Sequence, residues 1–161
     1  MKRVLVVGCP GGGKSVFSRA LAEKTGLPLC HLDLLKWNAD KTTVARPLFL
    51  ERLEKVLEEE EWIIDGNYAS TMARRMDCCD TFIFLDYPTD LCLEGIKARS
   101  GKPRPDMPWV EDGEDEEFLS FVRMYAQNSR PQVLALIAAH PEKRCMVFRS
   151  REEAESFLNS L

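Results

Sequence analysis

A run of aliphatic residues at 4–7 is cut off by Gly8-Cys9-Pro10-Gly11-Gly12-Gly13-Lys14-Ser15, and an apolar helical pattern follows at once. A buried strand, a loop almost without side chains and a helix start in so short a span leave little freedom of architecture. The spacing is Gly8, four residues, then Gly13-Lys14-Ser15. This is the pattern of a phosphate-binding P-loop, and a strand before it with a helix after it is the context the pattern requires. Glycines remove side chains, so successive backbone N–H groups can converge on phosphate oxygens, and the helix N-terminus adds a favourable dipole. Lys14 can reach the β- and γ-phosphates of a nucleotide, and Ser15 can ligate Mg²⁺. Gly8, Gly11, Gly12, Gly13, Lys14, Ser15 and Val16 form the expected ATP-binding set.

Strand candidates lie at 3–7, 28–32, 62–65, 81–86 and 144–148. Most are near-continuous apolar runs, as expected of strands covered on both faces in a parallel sheet. The stretch at 28–32 is the weakest of them. Helical spacing falls between the strands. It covers 14–25, with Phe17 and Leu21 on one stripe and Gly26 as its stop, and 47–60, with Leu50, Leu53, Val56 and Leu57. It recurs at 89–99, 114–128 and 131–139, and a last helix follows the Ser150…Glu153 capping box. Alternating strands and helices predict one α/β domain over 1–161. Residues 100–117 break the rhythm, with Pro103, Pro105 and Pro108 and no periodicity. Such a segment reads as a lid, at about 100–113.

The net charge is −4, which argues against a general nucleic-acid binder. No stretch approaches the ~18 apolar residues of a membrane span. The apolar run at the N-terminus is too short for a signal peptide and flows into the Gly-rich loop. The expectation is a cytoplasmic protein with no membrane partner. Six cysteines form no C-x-x-C pair, and there are only two histidines, His31 and His140, so a zinc site is not expected. Cys9 reads as an incidental small residue of the loop.

Two carboxylates fall just where predicted strands end. Asp65-Gly66 closes the third strand, and Asp33 follows the second; ligands bind at this carboxyl edge in open α/β sheets. Asp33 can orient or deprotonate an acceptor hydroxyl, bind a ribose, or simply cap a short helix. Phosphoryl transfer also needs cations around the transferred group. Arg99, Lys102, Arg104, Arg123 and Arg130 flank or lie in the irregular segment, with Arg99 and Arg130 the foremost catalytic candidates beside Lys14 and Asp33. Each has a plain surface role as its alternative. Arg74 or Arg75 can clamp a phosphate or carboxylate of the acceptor. The acidic run at 111–117 reads as a helix start, not a metal site.

A P-loop alone does not separate a GTPase, a motor ATPase and a small-molecule kinase. The N-K-x-D motif of GTPases is missing from the sequence, and the short chain points to the nucleoside monophosphate kinase type. Asp65-Gly66 resembles the D-G motif of adenylate kinases, although the arginine of their D-G-F-P-R run is replaced by Ala69. Taken together, "HLDLLKW", "WIIDGNY", "DTFIFLDYP", "GKPRPDMP" and "SRPQVLALI" resemble, in that order, segments of the bacterial DNA topology modulation proteins, a P-loop family related to adenylate kinase. The resemblance spans nearly the whole chain. It implies a P-loop NTPase sheet ordered 2-3-1-4-5 with helices on both faces and a short lid. It also implies Gly13, Lys14 and Ser15 at the phosphates, Asp65 near Mg²⁺ and Asp33 on the acceptor side.

The expected activity is an ATP- and Mg²⁺-dependent phosphotransferase acting on a small acceptor. The metal set is Ser15 and Asp65, and the acceptor set is Asp33, Asn67 and Arg75. A carboxylate at Asp33, with no arginine at Ala69, leans toward a hydroxyl acceptor over a phosphate. The rival reading is an ATP-binding regulatory protein that influences DNA topology without small-molecule kinase activity.

Overall fold

The computed structural model describes residues 1–112 and 115–161. Five strands, β1 (Arg3–Gly8), β2 (Leu29–His31), β3 (Trp62–Asp65), β4 (Thr81–Leu85) and β5 (Arg144–Phe148), form one sheet in the order β2-β3-β1-β4-β5. All four pairings are parallel. The α/β class and the 2-3-1-4-5 order are therefore as expected. Val4 to Val7, Ile63, Ile64 and Phe82 to Phe84 are fully buried, which is why the three central strands read as unbroken apolar runs. β2 is an edge strand of three residues and only half-buried, hence its faint pattern in the sequence.

The helices are α1 (Lys14–Thr25), α2 (Leu32–Lys36), α3 (Arg46–Glu58), α4 (Ala69–Cys78), α5 (Thr89–Arg99), α6 (Glu116–Asn128), α7 (Arg130–Ala139) and α8 (Arg151–Asn159). Most match the helical spacing. α4 does not: it buries Thr71, Met72, Arg75 and Met76, a face too polar to read as an apolar stripe. The expected start of α6 at Glu114 lies outside the described residues, as does Gly113 at the end of the expected lid. As described, α6 begins at Glu116, where the Asp115 carboxylate accepts the Phe118 N–H at 3.1 Å. The Ser150 cap of α8 is present, with Ser150 Oγ accepting from Glu153 N–H at 3.2 Å. Among the described residues, no helix is long and apolar enough to cross a membrane.

Residues 100–112 form no regular element. The Gly101 N–H donates to the Glu111 carbonyl at 2.6 Å, and a single bridge joins Arg104 and Met107, so the segment is a loop pinched at its root. The helix before it, α5, lies hard against the P-loop. A Cβ on Gly11 would come within 2.0 Å of the Cys92 carbonyl oxygen, and one on Gly95 within 2.0 Å of the Gly11 carbonyl oxygen. Gly11 also has φ 83°, which other residues rarely adopt. Gly95→Ala tests this contact. In an ordinary helix the change stabilises by up to ~1 kcal/mol. Here overpacking reverses the sign, and urea denaturation should register a loss of about 1–3 kcal/mol.

Candidate active site

The P-loop emerges from β1 at the point where the chain's strand order reverses, the usual ligand crevice of such sheets. Lys14 folds back along the loop, its Nζ donating to the Cys9 carbonyl at 3.3 Å. Burial pushes its ammonium below the ordinary lysine value, and the charge of Asp65 opposes that shift. Val16 is 64% exposed, so its contribution to a phosphate is confined to its backbone.

Register sets the next group. Val6 pairs with Asp65 across β1 and β3, and Asp65 pairs with His31 across β3 and β2. The two side chains meet: both Asp65 carboxylate oxygens lie 2.9 Å from His31 Nδ1, and both residues are buried. Burial alone would lower the His31 pKa, but the hydrogen bond and charge of Asp65, helped by Asp106, raise it above the usual histidine value. The sequence weighed His31 only as a zinc ligand. Its position opposite Asp65 follows from a register that the sequence does not show.

The segment after Asp65 turns sharply. Tyr68 sits at φ 34°, a rare conformation for a non-glycine residue. The turn is held from inside by Arg75, which is fully buried. Its guanidinium donates to the carbonyls of Gly66 at 2.9 Å, Asn67, and Tyr68 at 3.2 Å, and its Nε to Thr71 Oγ1 at 3.1 Å. Burial lowers its pKa to about 10. Arg75 was expected on the acceptor, but these bonds turn its guanidinium inward onto the backbone, and it acts through the turn. Arg74, the other candidate clamp, pairs with Glu54 at an exposed position.

What the turn presents is chemically specific. Asn67 Oδ1 accepts from Gly8 N–H at 3.2 Å, tying the turn to the start of the P-loop. Tyr68 Oη donates to Asp33 Oδ1 at 2.5 Å and accepts from Trp37 Nε1 at 3.2 Å. Asp33 lies near the start of α2, with its pKa raised by burial against the opposing Tyr68 hydrogen bond and the Lys14 charge. An aromatic wall surrounds it. Phe49 packs on Tyr68 with centroids 5.4 Å apart, Trp109 meets Trp37 edge-on at 5.6 Å, and Lys36 Nζ stands 4.8 Å over the Tyr68 ring. Tyr68 and Trp37 were not singled out from the sequence. The only hint was their presence in the quoted segments.

Trp109 belongs to the segment at 100–112, which therefore reaches across the site. Asp106, from the same segment, is 5% exposed and accepts from Ser15 Oγ at 2.6 Å. Arg104 lies 3.5 Å from Asp106 and 3.3 Å from Glu111, and Arg99 lies 2.9 Å from Glu111. Arg99 is close enough to Lys14 and Cys9 to perturb both. Arg130 is elsewhere on the same edge, in a two-pronged pair with Asp86 at 2.8 and 2.9 Å just after β4. Of the two arginines singled out, Arg99 is thus beside the P-loop, and Arg130 is anchored by a carboxylate.

Among the described residues, no three acidic, histidine or cysteine side chains converge as a self-sufficient metal cage. The donors at the start of α1 are oxygens, the Ser15 hydroxyl and the Asp106 carboxylate, with the Asp65 carboxylate held by His31. This set fits Mg²⁺, which binds through one or two carboxylates or hydroxyls and fills its shell with water and phosphate oxygens.

The fold matches that of solved shikimate and sugar kinases. Three solved structures align over 99% of this chain. The first is shikimate kinase from Bacteroides thetaiotaomicron, at TM-score 0.60 and 17% identity over 95% of that chain. The second is shikimate kinase from Acinetobacter baumannii in complex with shikimate, at TM-score 0.64 and 16% identity over 92% of that chain. The third is an unliganded sugar kinase from Janibacter sp. HTCC2649, at TM-score 0.55 and 15% identity over 91% of that chain. No protein-family model and no curated protein sequence matches the chain. The likeness to the DNA topology modulation proteins thus gains no support from either, whereas the P-loop kinase fold is shared with all three structures.

Arg75 supplies a prediction. Removing its guanidinium strands several buried carbonyls, each costing about 1–3 kcal/mol. Arg75→Ala should lower the thermal midpoint sharply, and Arg75→Lys should recover little, since an ammonium cannot span the same carbonyls.

Proposed function

We propose that the protein is an ATP- and Mg²⁺-dependent kinase that transfers the γ-phosphoryl group to a hydroxyl of a small molecule in the cytoplasm. The observation that carries this reading is the shared neighbourhood of Lys14 and Asp33. A cation for phosphate and a carboxylate of raised pKa sit close enough to perturb one another, at the same edge of the sheet. The neighbours named for a sugar and for shikimate, both hydroxyl-bearing molecules, agree with an alcohol acceptor.

In this mechanism the P-loop backbone from Gly8 to Ser15 cradles the phosphates, and Lys14 balances charge on the β- and γ-phosphates. Ser15, with Asp65 nearby, would hold Mg²⁺, which when bound would neutralise phosphate charge. Asp33 receives the acceptor's proton. Burial raises its pKa above the usual carboxylate value, which makes it a stronger base than an exposed aspartate, and Tyr68 fixes the carboxylate's orientation. The Asn67 amide, whose oxygen is bound to Gly8 N–H, leaves its NH₂ for the acceptor. Trp37, Trp109, Phe49 and Tyr68 shape the acceptor side and exclude water, which would otherwise compete as nucleophile. Arg99 at the end of α5 and Arg104 in the segment at 100–112, both paired with Glu111, would add positive charge over the nucleotide with that segment acting as a lid.

A screen of sugars, nucleosides, nucleotides and small hydroxy acids for acceptor-stimulated ADP release tests the reading. On the acceptor so found, Asp33→Asn should lower kcat by about 10²–10⁴-fold with little change in KM. Lys14→Ala should cut turnover by several powers of ten in a protein with an unchanged circular dichroism spectrum. Full turnover by either folded variant sinks this assignment of roles.

A further inference from the structure

Asp106 is a buried carboxylate whose partners are the P-loop hydroxyl of Ser15 and the guanidinium of Arg104. It is 5% exposed, in a segment whose other residues are half-buried or exposed. It touches Ser15 Oγ at 2.6 Å, at the mouth of a loop built to attract anions. A carboxylate beside incoming phosphates repels them unless a cation lies between. A hydroxyl and a carboxylate oxygen that share one Mg²⁺ at ~2.0–2.1 Å, at right angles, are about 2.9 Å apart. The observed separation of 2.6 Å is that of a direct O–H···O hydrogen bond, so a bound cation replaces this contact and needs the two oxygens to part by only a few tenths of an ångström. Arg104, 3.5 Å away and itself paired with Glu111, keeps the carboxylate aimed at Ser15.

We propose that Asp106 is a metal-binding residue delivered by the lid. When the segment at 100–112 lies across the P-loop, Asp106 joins Ser15 in holding the divalent cation that accompanies the nucleotide, directly or through one bound water. The inference rests on the P-loop reading above. It makes the metal the link between nucleotide binding and lid position, because the ion is shared by a residue of the loop and a residue of the lid.

Mn²⁺ binding gives a readout that is independent of turnover. Free Mn²⁺ is followed by electron paramagnetic resonance in the presence of a non-hydrolysable ATP analogue, and analogue binding is measured separately in EDTA. Asp106→Asn, nearly identical in shape, should weaken Mn²⁺ binding in the ternary complex by about 10–100-fold. In EDTA the same variant should bind the analogue as well as or better than the parent, because a repulsive charge has gone. Asp106→Glu should restore part of the metal affinity, and matching thermal midpoints establish that both variants fold. Unchanged Mn²⁺ affinity in Asp106→Asn overturns the proposal. So does tighter analogue binding with Mn²⁺ present, which would make the contact with Ser15 an inhibitory plug. Lys14→Ala separates the two levels. Loss of analogue binding there, alongside unchanged Mn²⁺ affinity in Asp106→Asn, sinks the role of Asp106 alone; retention of analogue binding sinks the P-loop reading with it.

Discussion

In a parallel sheet every strand delivers its last residue to the same edge, and this constraint organises the molecule. Val6, Asp65 and His31 stand side by side across β1, β3 and β2 because their ladders leave no other alignment. The P-loop leaves that edge from β1, the turn carrying Tyr68 leaves it from β3, and α2 with Asp33 leaves it from β2. A slip of one residue in β3 would turn Asp65 to the opposite face and break the pair with His31. The fully buried apolar runs of the central strands exclude such a slip, so the core sets the geometry of the polar edge.

Charge balance at that edge is tight. Lys14, Arg99 and Arg104 face Asp33, Asp65, Asp106 and Glu111, with His31 drawn toward its charged form by Asp65. Buried charges are tolerated only when paired or hydrogen-bonded. Arg75 is the exception in kind: its partners are backbone carbonyls, and what it secures is conformation. A left-handed Tyr68 costs on the order of 1–3 kcal/mol and persists only where surroundings enforce it. The buried guanidinium supplies that enforcement, so the tyrosine hydroxyl reaches Asp33 and the Asn67 oxygen reaches Gly8.

The sequence disclosed those parts whose logic is local. The P-loop is a contiguous pattern with one backbone solution, and the central strands are runs that only a doubly covered sheet accommodates. Asp33 and Asp65 were singled out because strand ends are recognisable, and both do stand at the carboxyl edge of the sheet. What stayed hidden depends on direction or on distance along the chain. A sequence does not say whether Arg75 points outward to a ligand or inward to carbonyls, and α4 was missed for the same reason, since its buried face includes that arginine. His31 gained meaning only from a neighbour 34 residues away, and Asp106 only from one 91 residues away. In a linear reading Asp106 was one acidic residue in a proline-rich stretch.

The backbone hydrogen bond from Gly101 to Glu111 has a thermodynamic consequence. Fixing a free backbone costs roughly 1–2 kcal/mol per residue, so ordering a tethered dozen from a disordered state would consume much of a nucleotide's binding energy. Here the two roots of the loop are already joined, and the N-terminal root follows a helix wedged against Gly11. Much of the entropy of closing this segment has been lost on folding. For the proposed kinase, little of the binding free energy of a nucleotide would then be diverted to ordering chain.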